Sequence, residues 1–226
     1  MKRLFDFAAA SVGLLLLSPL LLGVAVWIKI ESPGPVFYCG RRAGRGGKPF
    51  GMLKFRSMVV GADKAGPSST SSDDKRITKV GAFVRRFKID ELPQLINVLK
   101  GEMSLVGPRP QVEWAVAQYT ERERHLLDVR PGITDFASLH YRNEGEILRG
   151  SADPDGDYFR LIAPGKTALG LHYVENHNLL TDMRIVAATA LVVAGVDPEW
   201  CFGPAERAAL AEACPDATST SAKHAA

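Results

Sequence analysis

FAAASVGLLLLSPLLLGVAVWI, residues 7–28, is a run of 22 residues without a charge in a chain of 226. At ~1.5 Å of rise per residue, a straight helix of this length just spans a ~30 Å hydrocarbon core. Three readings compete: a spanning helix, a cleaved signal peptide, and a segment that enters and leaves by one face. The signal peptide is the weakest, because the run is long for its apolar region and no clear small-x-small site ends it. Ser18-Pro19 lies near the middle of the run. Proline has no N–H and its ring opposes the carbonyl four residues back, here Leu15, so a break or kink is predicted there. The Ser18 hydroxyl can serve a freed carbonyl in lipid. Both flanks are basic, with Lys2 and Arg3 before the run and Lys29, Arg41, Arg42, Arg45 and Lys48 after it. The positive-inside rule places both flanks in the cytoplasm, which a re-entrant helix satisfies and a spanning helix does not. From these residues alone, a re-entrant helix and a proline-kinked spanning anchor both stay open.

Working outward, Glu31-Ser32-Pro33-Gly34-Pro35 is a breaker cluster that closes the apolar segment. Residues 36–38 and 50–55 read as two short strands joined by a loop at 44–49. That loop holds glycines and a lysine but matches neither phosphate-binding fingerprint, so it reads as a turn. Residues 61–74 form a polar loop. Over 80–89, Arg85, Arg86 and Lys88 alternate with Phe83, Val84, Phe87 and Ile89, a pattern suited to a membrane surface. Leu92, Leu95, Ile96 and Leu99 then share one helical face, with Pro93 in the first turn and Gly101 just past the end. Asp90 and Glu91 are thereby expected at a helix N-terminus, where the dipole favours an ionised carboxylate or simply a cap. Residues 106–110 are a rigid connector, 111–128 a helix, and 130–132 a turn. Residues 158–162 and 166–177 read as helical, and 184–196 as an apolar helix too short to span. From Pro198 the chain turns alanine-rich and polar, and its last dozen residues are expected to be disordered.

With 46% hydrophobic and 23% charged residues, the chain suits a folded domain with a real core. Three widely spaced cysteines exclude a disulfide framework and fit no zinc site. The net charge of +3 hides an asymmetry: residues 41–109 carry 15 Lys and Arg against 6 Asp and Glu, while 110–226 carry 10 against 17. The basic middle calls for an anion, whether nucleic acid, lipid headgroup or nucleotide diphosphate, unless it is only a solvated face. The five histidines show no metal-ligand spacing. What remains is one acidic pair, Asp90-Glu91, in an arginine-rich segment. That combination suits phosphoryl transfer, in which one carboxylate holds a divalent ion and another attacks phosphorus. Salt bridges to Arg85 and Arg86 are the plainer account of the same residues.

Three stretches resemble the bacterial sugar transferases, the small monotopic phosphoglycosyl transferases. They are Lys54-Phe55-Arg56-Ser57-Met58, the 21-residue block from Asp90 to Pro110, and Arg130-Pro131-Gly132-Ile133-Thr134 followed by Arg142-Asn143. The resemblance covers roughly residues 1–195. After Thr134 many members carry Gly-Trp-Ala-Gln, whereas here the residues are Asp135-Phe136-Ala137-Ser138-Leu139-His140-Tyr141, which is similar to a subgroup and leaves the sugar open.

The resemblance implies an α+β, mainly helical fold. A re-entrant membrane helix broken at Ser18-Pro19 (1–30) precedes one cytoplasmic catalytic domain (31–197) with a small β-hairpin and amphipathic interfacial helices, and a tail (198–226) follows. It implies that Asp90 attacks the β-phosphoryl group of a UDP-sugar, that UMP leaves, and that undecaprenyl phosphate takes the phosphosugar from the aspartate. Glu91 would bind Mg2+. Arg109 and Arg142 match phosphate-site residues, Lys54 and Arg85 are further basic candidates, and Asp182 is carried as a candidate whose plainer role is to cap the last helix. The implied partners are the UDP-sugar, the polyprenyl phosphate, one membrane leaflet and downstream glycosyltransferases, with no nucleic acid, and the implied location is the cytoplasmic face of the inner membrane. The competing reading is a membrane-tethered basic module that binds anionic lipid or nucleic acid without catalysis.

Overall fold

The computed structural model describes residues 1–214. The fold is mainly helical with two small sheets, and it opens on one long apolar helix. The chain forms two compact units, Met1–Gly66 with Asp74–Ile133, and Pro67–Asp73 with the remainder from Thr134.

In the first unit, α1 (Lys2–Glu31) is about 45 Å long at 1.5 Å per residue. The helix runs unbroken through Ser18-Pro19, where the sequence predicts a break or kink. The Leu15 carbonyl that Pro19 cannot serve accepts instead from Ser18 Oγ at 2.8 Å. Strands β1 (Phe37–Ala43) and β2 (Pro49–Phe55) form an antiparallel hairpin with Tyr38 opposite Lys54. Helix α2 (Lys79–Arg86) is capped by Thr78, whose hydroxyl accepts from the Gly81 N–H. Helix α3 (Gln94–Lys100) ends at Gly101 in the left-handed region, φ 83°, as its sequence predicts. Strands β3 (Ser104–Val106) and β4 (Gly132–Thr134) pair in a second sheet, with α4 (Glu113–Val116) between them in the chain.

The expected helix over 111–128 is reduced to α4 and a 3-10 turn, Glu123–Leu127. Thr120 supplies the reason: its N–H and hydroxyl donate to Glu123 Oε2 at 2.8 Å, and its hydroxyl accepts from the Glu123 N–H. That reciprocal pair starts a new turn and ends the old one.

Two apolar clusters run along α1. Ala10 packs with Met52, Leu95, Val98 and Met103; further on, Val24 and Ile28 pack with Phe55, Val80 and Val84. Each end of α1 is also tied down by polar contacts. Arg3 donates to the Val98 and Leu99 carbonyls at the end of α3 at 2.5 and 2.9 Å, and Asp6 accepts from Ser104 Oγ and the Leu105 N–H. At the far end Arg56 donates to the carbonyls of Ser32 and Pro33 at 2.8 and 2.9 Å, and the Val80 N–H donates to Glu31. A cation at a helix C-terminus satisfies carbonyls and complements the dipole.

The second unit holds α5 (Phe136–His140), α6 (Glu144–Ile147), α7 (Pro154–Leu161), α8 (Ala163–Asn176), α9 (Leu179–Val193) and α10 (Pro204–Ala213). Its core gathers Tyr141, Leu148 and Ile162, with Tyr158 and Leu210 against them. The region from Pro198 is therefore not featureless: a 3-10 turn, Pro198–Cys201, and α10 lie in it. Residues 215–226, where disorder was expected, lie outside the described residues.

Candidate active site

A sharp turn after α2 positions the acidic pair. Helix α2 ends at Arg86 with Phe87 as its C-cap, and Lys88 then takes a left-handed conformation at φ 56°, the single non-glycine to do so among the described residues. That conformation is uncommon for a side chain of this kind and is held only where surrounding packing enforces it. It throws the chain into the 3-10 turn Ile89–Glu91. Asp90 and Glu91 therefore precede α3, which starts at Gln94, and no side-chain cap is made by either of them. The turn runs on through Leu92 and Pro93, both right-handed helical, into α3, so the pair sits at the N-terminal approach to that helix without capping it. Asn97 locks α3 against β2: it accepts from the Leu53 N–H at 3.0 Å and donates to Gly51 O at 2.8 Å and Glu102 Oε2 at 2.7 Å.

The two carboxylates have opposite environments. Glu91 Oε1 accepts from Lys54 Nζ at 2.9 Å and Arg109 Nη2 at 2.6 Å. Burial works to raise the Glu91 carboxyl, but Arg109 and Lys54 overcome it and hold the group far below the usual carboxylate range. Asp90 is 5% exposed, and its Oδ1 has no hydrogen-bond partner among the described residues. Burial, and then the Glu91 charge, push its carboxyl above the usual value, against the pull of Lys54, Arg85 and Lys88. The dipole argument for an easily ionised Asp90 is thus outweighed by loss of water. The salt bridges to Arg85 and Arg86 that would have explained the pair away are not formed. Arg85 instead reaches Ser57 Oγ at 3.5 Å.

Arg109 owes its place to a close crossing of two loops. The Gly132 N–H donates to Pro108 O at 3.0 Å and the Ser104 N–H to Pro131 O at 2.9 Å. A Cβ on Gly132 would lie 2.1 Å from the Gly107 nitrogen, so only glycine allows the approach. Arg109 Nη1 then donates to Ile133 O at 2.6 Å, which aims Nη2 at Glu91.

Lys54, Arg85, Asp90, Glu91 and Arg109 thus belong to the first unit. Arg142 and Asp182 belong to the second. There Arg142 pairs with Asp197 at 3.1 Å, and the buried Asp182 accepts from the Tyr173 hydroxyl at 2.5 Å. The cap of α9 is Asn178, which accepts from the Thr181 N–H, so Asp182 does not fill that role. Lys88 is the participant that sequence reading missed. Its side chain is exposed, yet crowding by protein atoms around the ammonium lowers its pKa, with Arg109 and Lys54 adding to this against Glu91 and Asp90. A lysine immediately before an acidic pair carries no periodic signal, and its left-handed backbone is visible only in the fold.

No group of three or more His, Cys, Asp or Glu side chains is arranged for a metal among the described residues. The donor set is two adjacent carboxylates, one with a buried unpartnered oxygen. That suits Mg2+, which keeps waters and binds through one or two carboxylates plus substrate phosphates.

Residues 1–195 match the family described as bacterial sugar transferase. The chain is 41% identical over 194 residues to the UDP-N-acetylgalactosamine-undecaprenyl-phosphate N-acetylgalactosaminephosphotransferase of Aeromonas hydrophila, covering 83% of this chain and 42% of that protein. It is 39% identical over 199 residues to the UDP-glucose:undecaprenyl-phosphate glucose-1-phosphate transferase of Xanthomonas campestris pv. campestris, covering 86% and 39%. Against the exopolysaccharide production protein PSS of Rhizobium leguminosarum bv. phaseoli it is 39% identical over 202 residues, covering 84% and 94%. The chain therefore spans about two fifths of the first two relatives and nearly all of the third.

Proposed function

The chain belongs to the bacterial sugar transferase family, and on that premise we propose that it moves a sugar 1-phosphate from a UDP-sugar to undecaprenyl phosphate with Asp90 as nucleophile. The observation that carries this reading is the buried, unpartnered Asp90 oxygen beside a glutamate clamped by two cations. Such a group costs stability and persists where it has chemistry to do.

In the proposed reaction an Asp90 oxygen attacks the β-phosphorus, the bond from β-phosphorus to the bridging oxygen breaks, and UMP leaves with that electron pair. An oxygen of undecaprenyl phosphate then attacks the same phosphorus, and the Asp90 carboxylate is released. The product is a polyprenyl-diphosphate-linked sugar, the first membrane step of a surface glycan. Lys54, Arg109 and Arg85 offset the repulsion between carboxylate and diphosphate. Glu91, with the diphosphate, would hold Mg2+, which supplies charge neutralisation for the leaving UMP. Arg142 and Asp182 stay candidates for substrate binding.

We place the enzyme on the cytoplasmic face of the inner membrane, with α1 re-entrant in one leaflet. Support comes from the anchoring of both ends of α1, and its middle, on the same compact unit. A helix that crossed the bilayer would have to leave one of those anchors behind. Trp27, Phe83 and Phe87 add an exposed aromatic cluster, with ring centroids 5.3 and 5.0 Å apart in succession, of the kind found at membrane interfaces. The tethered-module reading gives no use for a buried carboxylate.

The relatives' names divide between N-acetylgalactosamine and glucose, so the assay is a panel of UDP-sugars. Purified protein with a sugar-labelled donor and no lipid is expected to release UMP and to keep label at Asp90. Absence of both, together with no exchange of labelled UMP into the donor, would rule out the two-step route and favour direct transfer between two bound substrates.

A further inference from the structure

The turn that carries Asp90 leads into a second polar group without a partner. Gln94 is fully buried. Arg109 sets the direction of its carboxamide: Nη1 approaches Gln94 Oε1 at 3.5 Å, and a guanidinium can only donate, so the amide oxygen faces it. The same guanidinium donates to Glu91 at 2.6 Å, which brings Gln94 and Glu91 together around one cation. The amide nitrogen is left on the other side. Gln94 Nε2 is shielded from solvent and has no hydrogen-bond partner among the described residues. Burying such a donor without a partner is destabilising, and a methionine would fill the same volume without that cost.

We propose that Gln94 Nε2 donates to a non-bridging oxygen of the phosphoryl group that Asp90 attacks. This role rests on the reading of Asp90 as nucleophile given above. Attack at phosphorus puts charge on those oxygens. Lys54 and Arg109 are already engaged by Glu91. A neutral amide adds a donor for the developing charge without adding a counter-ion for Asp90. A further cation would pair with that carboxylate and blunt its attack. The alternative is that Gln94 merely spaces Arg109 through its oxygen.

Two variants separate these roles. Gln94→Glu keeps an oxygen for Arg109 and loses the donor; Gln94→Met loses both. Full-length protein in lipid nanodiscs is assayed for UMP release from the UDP-sugar that the wild type turns over, with undecaprenyl phosphate present. Both variants are expected to lose kcat by about 10²-fold, the usual cost of one oxyanion donor, with KM for the UDP-sugar changed less than about threefold. Gln94→Met is expected to melt at or above the wild-type temperature, because an unpartnered donor has been removed. Near-wild-type kcat in Gln94→Glu would overturn the proposal. So would a loss of activity in Gln94→Met accompanied by a matching fall in melting temperature, which marks a structural role. A wild type that releases no UMP from any UDP-sugar would overturn the reaction, and this role with it. A wild type that turns over beside unimpaired variants would overturn this role alone.

Discussion

Asp90→Asn removes a buried negative charge and keeps the size of the side chain, so its effects on stability and on turnover are expected to have opposite signs. Asp90 is 5% exposed with an unpartnered oxygen. An unsatisfied buried polar group costs about 1–3 kcal/mol, and the introduced amide brings donors of its own, so the gain belongs at the low end, about 1 kcal/mol. For a chain of this size that is roughly 2–4 °C in melting temperature. The pH dependence fixes the sign. Burial raises the Asp90 carboxyl above the ordinary aspartate value, so the native state holds more protons than the unfolded state just above that pH. Wild-type stability therefore falls as pH rises through that window, and it stays reduced above the native pKa. The advantage of Asp90→Asn should be smallest near pH 4 and grow as pH rises to 7.5. Glu91 titrates in both proteins and largely cancels in the difference. Thermal melts of both proteins in nanodiscs at several pH values measure this, with UMP release measured in parallel. A variant that melts below the wild type at pH 7.5, or whose advantage does not shrink toward pH 4, refutes the account of Asp90. Near-normal turnover refutes it as nucleophile.

Glu91→Gln leaves Lys54 and Arg109 without their shared anion, and should lower stability by about 1–3 kcal/mol while abolishing Mg2+-dependent UMP release; melts and a Mg2+ titration check both. Gly132→Ala forces a methyl 2.1 Å from the Gly107 nitrogen. It should cost about 1–3 kcal/mol or more and displace Arg109, read as a lowered melting temperature and a raised KM for the UDP-sugar. Single cysteines near residues 2 and 70, with Cys39, Cys201 and Cys214 changed to serine, should both resist an impermeant thiol reagent in intact spheroplasts. Labelling of the site near residue 2 alone would mean that α1 spans.

Much of the site could be read from the residues, because it lies in one dense block. The spacing of Leu92, Leu95, Ile96 and Leu99 and the position of Gly101 fix α3 to within two residues, since a four-residue stripe and a left-handed terminator are local signals. What failed was non-local or backbone-borne. The left-handed turn at Lys88 separates Asp90 from α2, and lysine gives no hint of it. Strands β3 and β4 have three residues each, too short for an alternating pattern, and exist because Gly107 and Gly132 let two loops touch. The helix expected over 111–128 was cut by a Thr120–Glu123 pair that resembles ordinary polar surface when read as a string. The depressed Glu91 carboxyl follows from partners at positions 54 and 109, which no local window contains.

Helix α1 joins the membrane to the chemistry more directly than an appended anchor would. One side of it supplies Ala10, Val24 and Ile28 to the clusters that also hold Phe55, beside Lys54, and Leu95, beside Gln94. The other side leaves Leu15, Leu16 and Leu22 about 70% exposed. Each such side chain is worth about 1.5–3 kcal/mol when removed from water, so lipid rather than water is the compatible solvent for that face. The apolar helix is thus the one against which β2 and α3, the elements that carry Lys54 and Gln94, are packed.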